Sequence, residues 1–229
     1  MRTKNIEIDL DTGIELMVAY RLNGRRHRDE GPAVVKRDAE SGRIWWEEYR
    51  WHGRFHRDPT AGPAAIGYDT SADAAMSWDY WWRGKRHRLD GPAATCHFGA
   101  LADLHIVEEY YVHGKEHRDP AEGPAYIKRF PSETFAREVR YYANGQLHRE
   151  HGPATIFRNE KGLITLQEYY LRDMLHREPD EGPALLARDK ATGELTRCEY
   201  HLHGARAAPP RKPGRVRFFG ETRTYPVPA

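Results

Sequence analysis

The chain has 229 residues, 39% of them hydrophobic and 31% charged, with a formal net charge of +2. That balance is globular but poor in aliphatics for one compact core, and a charge so near neutral gives no general polyanion signal. Cys96 and Cys198 lie far apart in sequence, which predicts two thiols in a reducing compartment and no structural disulfide. No apolar run approaches the length of a membrane span.

In chain order, the amino terminus MRTKNIEIDLDTG alternates apolar and charged residues and offers no signal-peptide core, so a cytoplasmic protein is expected. Its first hairpin is predicted at IEIDL-DTG-IELMVAY. One pattern then recurs: an aromatic, a turn glycine, His-Arg and Gly-Pro-Ala. The copies are YRLNGRRHRDEGPA from Tyr20, YRWHGRFHRDPTAGPA from Tyr49, YWWRGKRHRLDGPA from Tyr80, YYVHGKEHRDPAEGPA from Tyr110, YYANGQLHREHGPA from Tyr141 and YYLRDMLHREPDEGPA from Tyr169. A seventh, YHLHGARAAPP from Tyr200, loses both His-Arg and Gly-Pro-Ala. The histidines step by 29, 31, 30, 31 and 28 residues, a period of stacked repeats. Copies two, four and six carry two extra residues and a proline between His-Arg and Gly-Pro-Ala, so the unit could be a pair.

Between the connectors lie paired runs rich in β-branched and aromatic residues, such as PAVVK and IWWEEYRW around DAESGR. Seven hairpins and fourteen strands result, with no helix longer than a turn. Proline opens each strand, where its fixed φ and missing N–H are tolerated. The turn glycine, replaced by Asp173 in the sixth copy, calls for positive φ. The expected fold is an all-β, elongated antiparallel meander of about seven hairpins over residues 1–204. Residues 205–229 form a basic, proline-rich cap of local charge +5, with Arg206, Arg211, Lys212, Arg215, Arg217 and Arg223 against Glu221.

These units resemble MORN-type repeats, in which a Tyr/Trp-x-x-Gly hairpin recurs, and most of all a divergent bacterial and viral variety reading "NGKLHREDGPA". The similarity covers about residues 14–204. It implies a scaffold or adaptor, sometimes membrane-associated, with no catalytic domain in this chain.

The pairs His27/Arg28, His56/Arg57, His87/Arg88, His117/Arg118, His148/Arg149 and His176/Arg177 could suggest general-base chemistry. Catalysis needs one asymmetric constellation, whereas a group present at every turn serves the turn. The expected role is structural: histidine bonding a connector carbonyl, arginine pairing with the acid before the aromatic (Glu48, Asp79, Glu109, Glu168, Glu199, but Arg140 in one copy). No cofactor or metal site is expected, because His113/His117 and His201/His203 lack further converging ligands. Connector charges run +1, +1, +2, −1, 0 and −3, a basic-to-acidic gradient rather than a uniform phosphate rail.

All six tryptophans, Trp45, Trp46, Trp51, Trp78, Trp81 and Trp82, fall in the second and third units beside Arg54, Lys85 and Arg86. Neighbouring strand residues face opposite ways, so some must meet solvent or a partner, and these nine residues are the candidate partner-binding surface. The expected function is a non-enzymatic adaptor for a protein partner, with self-association through sheet edges as a further option. The alternative is nucleic-acid or polyanion binding through the basic amino-terminal half and tail.

Overall fold

The computed structural model describes residues 1–71, 74–99, 104–210, 215–218 and 221–224. It has two compact units, Met1–Lys115 and Glu116–Ala229. The first holds eight antiparallel strands in chain order: β1 (Arg2–Ile8), β2 (Glu15–Leu22), β3 (Val34–Arg37), β4 (Ile44–Glu48), β5 (Ala65–Asp69), β6 (Ala74–Asp79), β7 (Ala94–Phe98) and β8 (His105–Glu109). The second continues the pattern with β9 (Tyr126–Arg129), β10 (Ala136–Arg140), β11 (Thr155–Arg158), β12 (Ile164–Glu168), β13 (Leu185–Arg188) and β14 (Leu195–Glu199). The fold is thus an all-β meander of fourteen strands in hairpin order, as the repeats predict. A 3-10 turn at Pro59–Ala61 is the one helical element among the described residues.

Four of the long hairpins end in a loop shaped by an acidic or amide side chain. Asp9 accepts from the amides of Asp11 and Thr12, Asp38 from Ser41, Asn159 from Lys161 and Leu163, and Asp189 from Ala191 and Thr192. Such side chains imitate a turn of backbone, which is why they open loops.

A second, shorter kind of hairpin sits at every connector. Arg21–Leu22 pair with Arg25–Arg26, Arg50–Trp51 with Arg54–Phe55, Trp81–Trp82 with Lys85–Arg86, Tyr142–Ala143 with Gln146–Leu147, Tyr170–Leu171 with Met174–Leu175, and His201–Leu202 with Ala205–Arg206. Their two central residues both have positive φ, for example Asn23 (48°) with Gly24 (76°) and His52 (47°) with Gly53 (87°). That is the signature of the tight turn whose twist suits a two-residue hairpin. In the sixth copy Arg172 (52°) and Asp173 (66°) hold the same shape without glycine.

IWWEEYRW suits a single strand by its residue types, but the structure divides it at Tyr49. The Tyr49 amide donates to Ala64 O (2.7 Å) while its carbonyl accepts from the His56 amide (3.0 Å). The chain thereby leaves the broad sheet and enters the connector ladder. Trp45 and Trp46 belong to the former, Trp51 to the latter. The seventh connector likewise runs past the expected boundary at 204, to Arg206.

Burial explains Gly-Pro-Ala. Ala33, Ala64, Ala93, Ala125, Ala154 and Ala184 are all 0% exposed. Each lies between two ladders: the Ala33 amide donates to Glu48 O (2.6 Å), and its carbonyl accepts from Tyr20 (2.8 Å). A side chain larger than a methyl group would overpack a site with no exposed surface. In the tail, Arg215–Phe218 pair with Glu221–Thr224; Arg211 and Lys212 lie outside the described residues.

Candidate functional site

The connectors bring the repeated polar residues together, in roles other than those expected. Histidine does not donate to a carbonyl. Its Nδ1 accepts from the first turn residue of the following copy: His27 from the His52 amide, His56 from Arg83, His87 from His113, His117 from Asn144 and His176 from His203, all at 3.1–3.2 Å. An accepting Nδ1 carries no proton, which places the ring proton on Nε2. The second turn residue donates to the carbonyl just before that histidine, as Gly53 does to Arg26 O (2.7 Å) and Gly84 to Phe55 O (2.9 Å). Each connector is therefore stapled to its successor by two bonds. His148 departs from the set: its Nδ1 is buried with no hydrogen-bond partner, and Asp173 instead accepts from the Leu147 amide (2.7 Å).

Nor does the arginine pair with the acid before the aromatic. Its guanidinium lies over the tyrosine that opens its own copy: Arg28 over Tyr20 at 4.1 Å, Arg57 over Tyr49 at 3.9 Å, Arg88 over Tyr80 at 4.1 Å, Arg149 over Tyr141 at 3.8 Å and Arg177 over Tyr169 at 4.0 Å. It then donates to the carbonyl of Pro32, Pro63, Pro92, Pro153 or Pro183, and Arg118 donates likewise to Pro124. The two extra residues of the even copies leave this clasp unchanged, so the odd–even alternation is absorbed outside it. A Cβ on Gly62 would sit 3.1 Å from Arg57 Nη1, which explains the glycine of Gly-Pro-Ala.

The acids before the aromatic are met by other cations. Glu48 takes Arg26 (3.0 Å), Arg50 (2.5 Å) and the Trp46 indole (3.0 Å). Burial acts to raise this carboxyl, yet Arg50, Trp46 and Arg26 together hold it below its ordinary value. Arg86 bridges Asp79 (2.9 Å) and Glu109 (2.8 Å), and at Asp79 burial prevails over Arg86 and pushes the carboxyl up. Burial likewise raises Glu168, against Arg140 and Arg197. In the copy with Arg140 at this position, Glu138 supplies the opposite charge.

The nine candidate partner-binding residues do not form one uniform patch. Trp45 (40%) and Trp51 (47%) are exposed; Trp46, Trp78, Trp81 and Trp82 are half-buried. Trp46 underlies Gly67, Trp78 meets His97 (5.7 Å), Trp81 stacks on Phe55 (5.4 Å) and Trp82 leans on His56 (4.5 Å). Trp51 stands edge-on to His27 (4.6 Å) and within reach of His56 (6.4 Å), leaving its outer face in solvent. Arg54 and Lys85 are exposed beside this aromatic ladder, whereas Arg86 is committed to its two acids. A tryptophan beside a turn is legible in the sequence; the histidine contacts that prop Trp51 needed the three-dimensional register.

Among the described residues no three His, Cys, Asp or Glu side chains converge as metal ligands. No helix there is long and apolar enough to cross a membrane. Fold and connectors together define an all-β hairpin-repeat protein. Comparison with protein-family models, characterised proteins and solved structures found no match.

Proposed function

We propose that this chain is a non-enzymatic repeat scaffold of MORN-like type that binds a protein partner through the aromatic-rich face of residues 45–86. The observation that carries the reading is Trp51, a large ring held rigidly by His27 yet 47% exposed. Rigid, half-solvated tryptophan flanked by arginine is the residue type that dominates binding hot spots. The non-catalytic part is supported by how the repeated His-Arg groups are used, since nearly all of them bond to backbone within the connectors. A polyanion binder remains the alternative, but Arg26, Arg50 and Arg86 are already paired with acids.

Capture of partners from a lysate of the source cells, with and without nuclease, tests the reading. Trp51→Ala with Trp45→Ala is expected to abolish recovery of a stoichiometric protein while leaving the β-type circular dichroism intact. Trp81 and Trp82 are poor choices, because their rings support neighbouring connectors. Recovery of nucleic acid alone, lost on nuclease treatment, would replace the adaptor with the polyanion reading.

A further inference from the structure

Four cations outside the internal pairing share a place in the repeat. Arg25, Arg54, Lys85 and Lys115 occupy one position, directly after the turn glycine, in four successive connectors. All are exposed, and none makes an ion pair among the described residues. The stems of the first three pack against the next turn: a Cβ on Gly53 would lie 3.6 Å from Arg25 Cβ, one on Gly84 3.3 Å from Arg54 Cδ, and one on Gly114 3.3 Å from Lys85 Cβ. Residues 116–229 carry Gln146, Met174 and Ala205 at the same position, so the row belongs to the first unit alone.

The row has a defined pitch. Connectors join strand to strand, through Gly53 N–H to Arg26 O and Arg28 N–H to Arg50 O, then Gly84 to Phe55 and Gly114 to Arg86. One repeat is therefore two strand spacings, about 9.5 Å. A polyproline II segment rises ~3.1 Å per residue with three residues per turn, so the same face returns every ~9.3 Å. A β-strand returns to one face every ~6.7 Å, which does not match. In duplex DNA every third phosphate of a strand is also about 10 Å on, but it has turned by roughly a third of a revolution about the helix axis, more than two strands of sheet twist.

We propose that the connector tips of residues 23–115 form a docking row for an extended acidic segment of a partner protein, in polyproline II conformation with Asp or Glu at every third residue. This rests on the reading that the partner is a protein. Carboxylates at that period meet the four cations one to one, and exposed Trp51 offers an aromatic wall of the kind on which such segments dock.

The test is fluorescence anisotropy of the full chain with labelled (Glu-Pro-Pro)5, against a peptide of identical composition with its glutamates out of phase, and against an oligothymidylate. The phased peptide is expected to bind about tenfold more tightly than the shuffled one. Replacing Arg25, Arg54, Lys85 and Lys115 by Gln should weaken it by about tenfold or more, since each exposed pair is worth roughly a factor of 1.5 to 5. Equal binding of the two peptides, or tighter binding of the oligothymidylate, overturns the proposal. Lysate capture separates the two readings: a partner that is lost with Trp51→Ala but kept by the four-Gln variant keeps the adaptor and removes the docking row. Failure of the unaltered chain to capture any protein removes the adaptor itself.

Discussion

His87 shows how much of a repeat can hang on one lone pair. Its Nδ1 accepts from His113 N–H at 3.2 Å, and the two rings stack at 4.4 Å. Protonation of Nδ1 would turn the acceptor into a donor facing a donor. Burial, then the neighbouring His113, lowers the His87 pKa from 6.5; burial and Arg83 do the same at His56, with Asp58 opposing. A depressed histidine pKa means that the folded state binds the proton less well than the unfolded chain. The stability it contributes is therefore complete above pH ~6.5 and is lost as pH falls through the folded values. The urea midpoint should decline between pH 7 and 5, and His56→Asn with His87→Asn should flatten that decline, because the amide oxygen can accept in the place of Nδ1 without titrating. Equal slopes in the two proteins would show that other groups govern the change. Recurrence in the sequence marked these residues as structural, but not which atom did what. The sense of the bond depends on a backbone amide some 25 residues away, a register that no local pattern contains.

At the scale of the element, the connector hairpin demands two consecutive residues at positive φ, and glycine normally supplies one of them. The sixth copy uses Arg172 and Asp173, and Asp173 offsets its backbone cost by accepting the Leu147 amide at 2.7 Å. Asp173→Ala keeps the left-handed strain and removes the acceptor. It is expected to cost about 1–3 kcal/mol in chemical denaturation, whereas Asp173→Asn, which retains an accepting oxygen, should cost far less. Glycine spacing, strand-opening proline and paired β-branched runs made the long hairpins and the turns legible. The break at Tyr49 was not: the residues on both sides are aromatic and equally suited to a strand, and what divides them is a change of hydrogen-bonding partner. The six tryptophans consequently looked like one surface, although only Trp45 and Trp51 are exposed.

Across the whole molecule, stability comes from many small identical joints rather than from one core. The buried alanines, tyrosine–arginine stacks and proline carbonyl clasps recur at each step, and each joint touches its neighbours alone. Such arrays behave as sums of unit and nearest-neighbour terms. Ala154→Leu, at a position with 0% exposure, should destabilise by about 1–3 kcal/mol through overpacking. Hydrogen exchange should then quicken at the Tyr141, Ala154 and Tyr169 amides and stay unchanged at Ala33 and Ala64. Faster exchange throughout would mean one cooperative block instead.

The staple between connectors also has a direction. Five copies give their histidine lone pair to the amide of the copy after them and never to the one before, while at His148 the following copy's Asp173 supplies the bond instead. In the seventh copy Ala207 and Ala208 stand where His-Arg would be, while the Ala207 amide still donates to Tyr200 O at 2.8 Å. Its divergence is thus the full stop of a grammar in which every other unit ends on a conjunction. Whole units can be inserted or lost from the middle of such a sentence and it still parses, but a unit appended after residue 210 would lack the histidine half of the staple until Ala207 became histidine again.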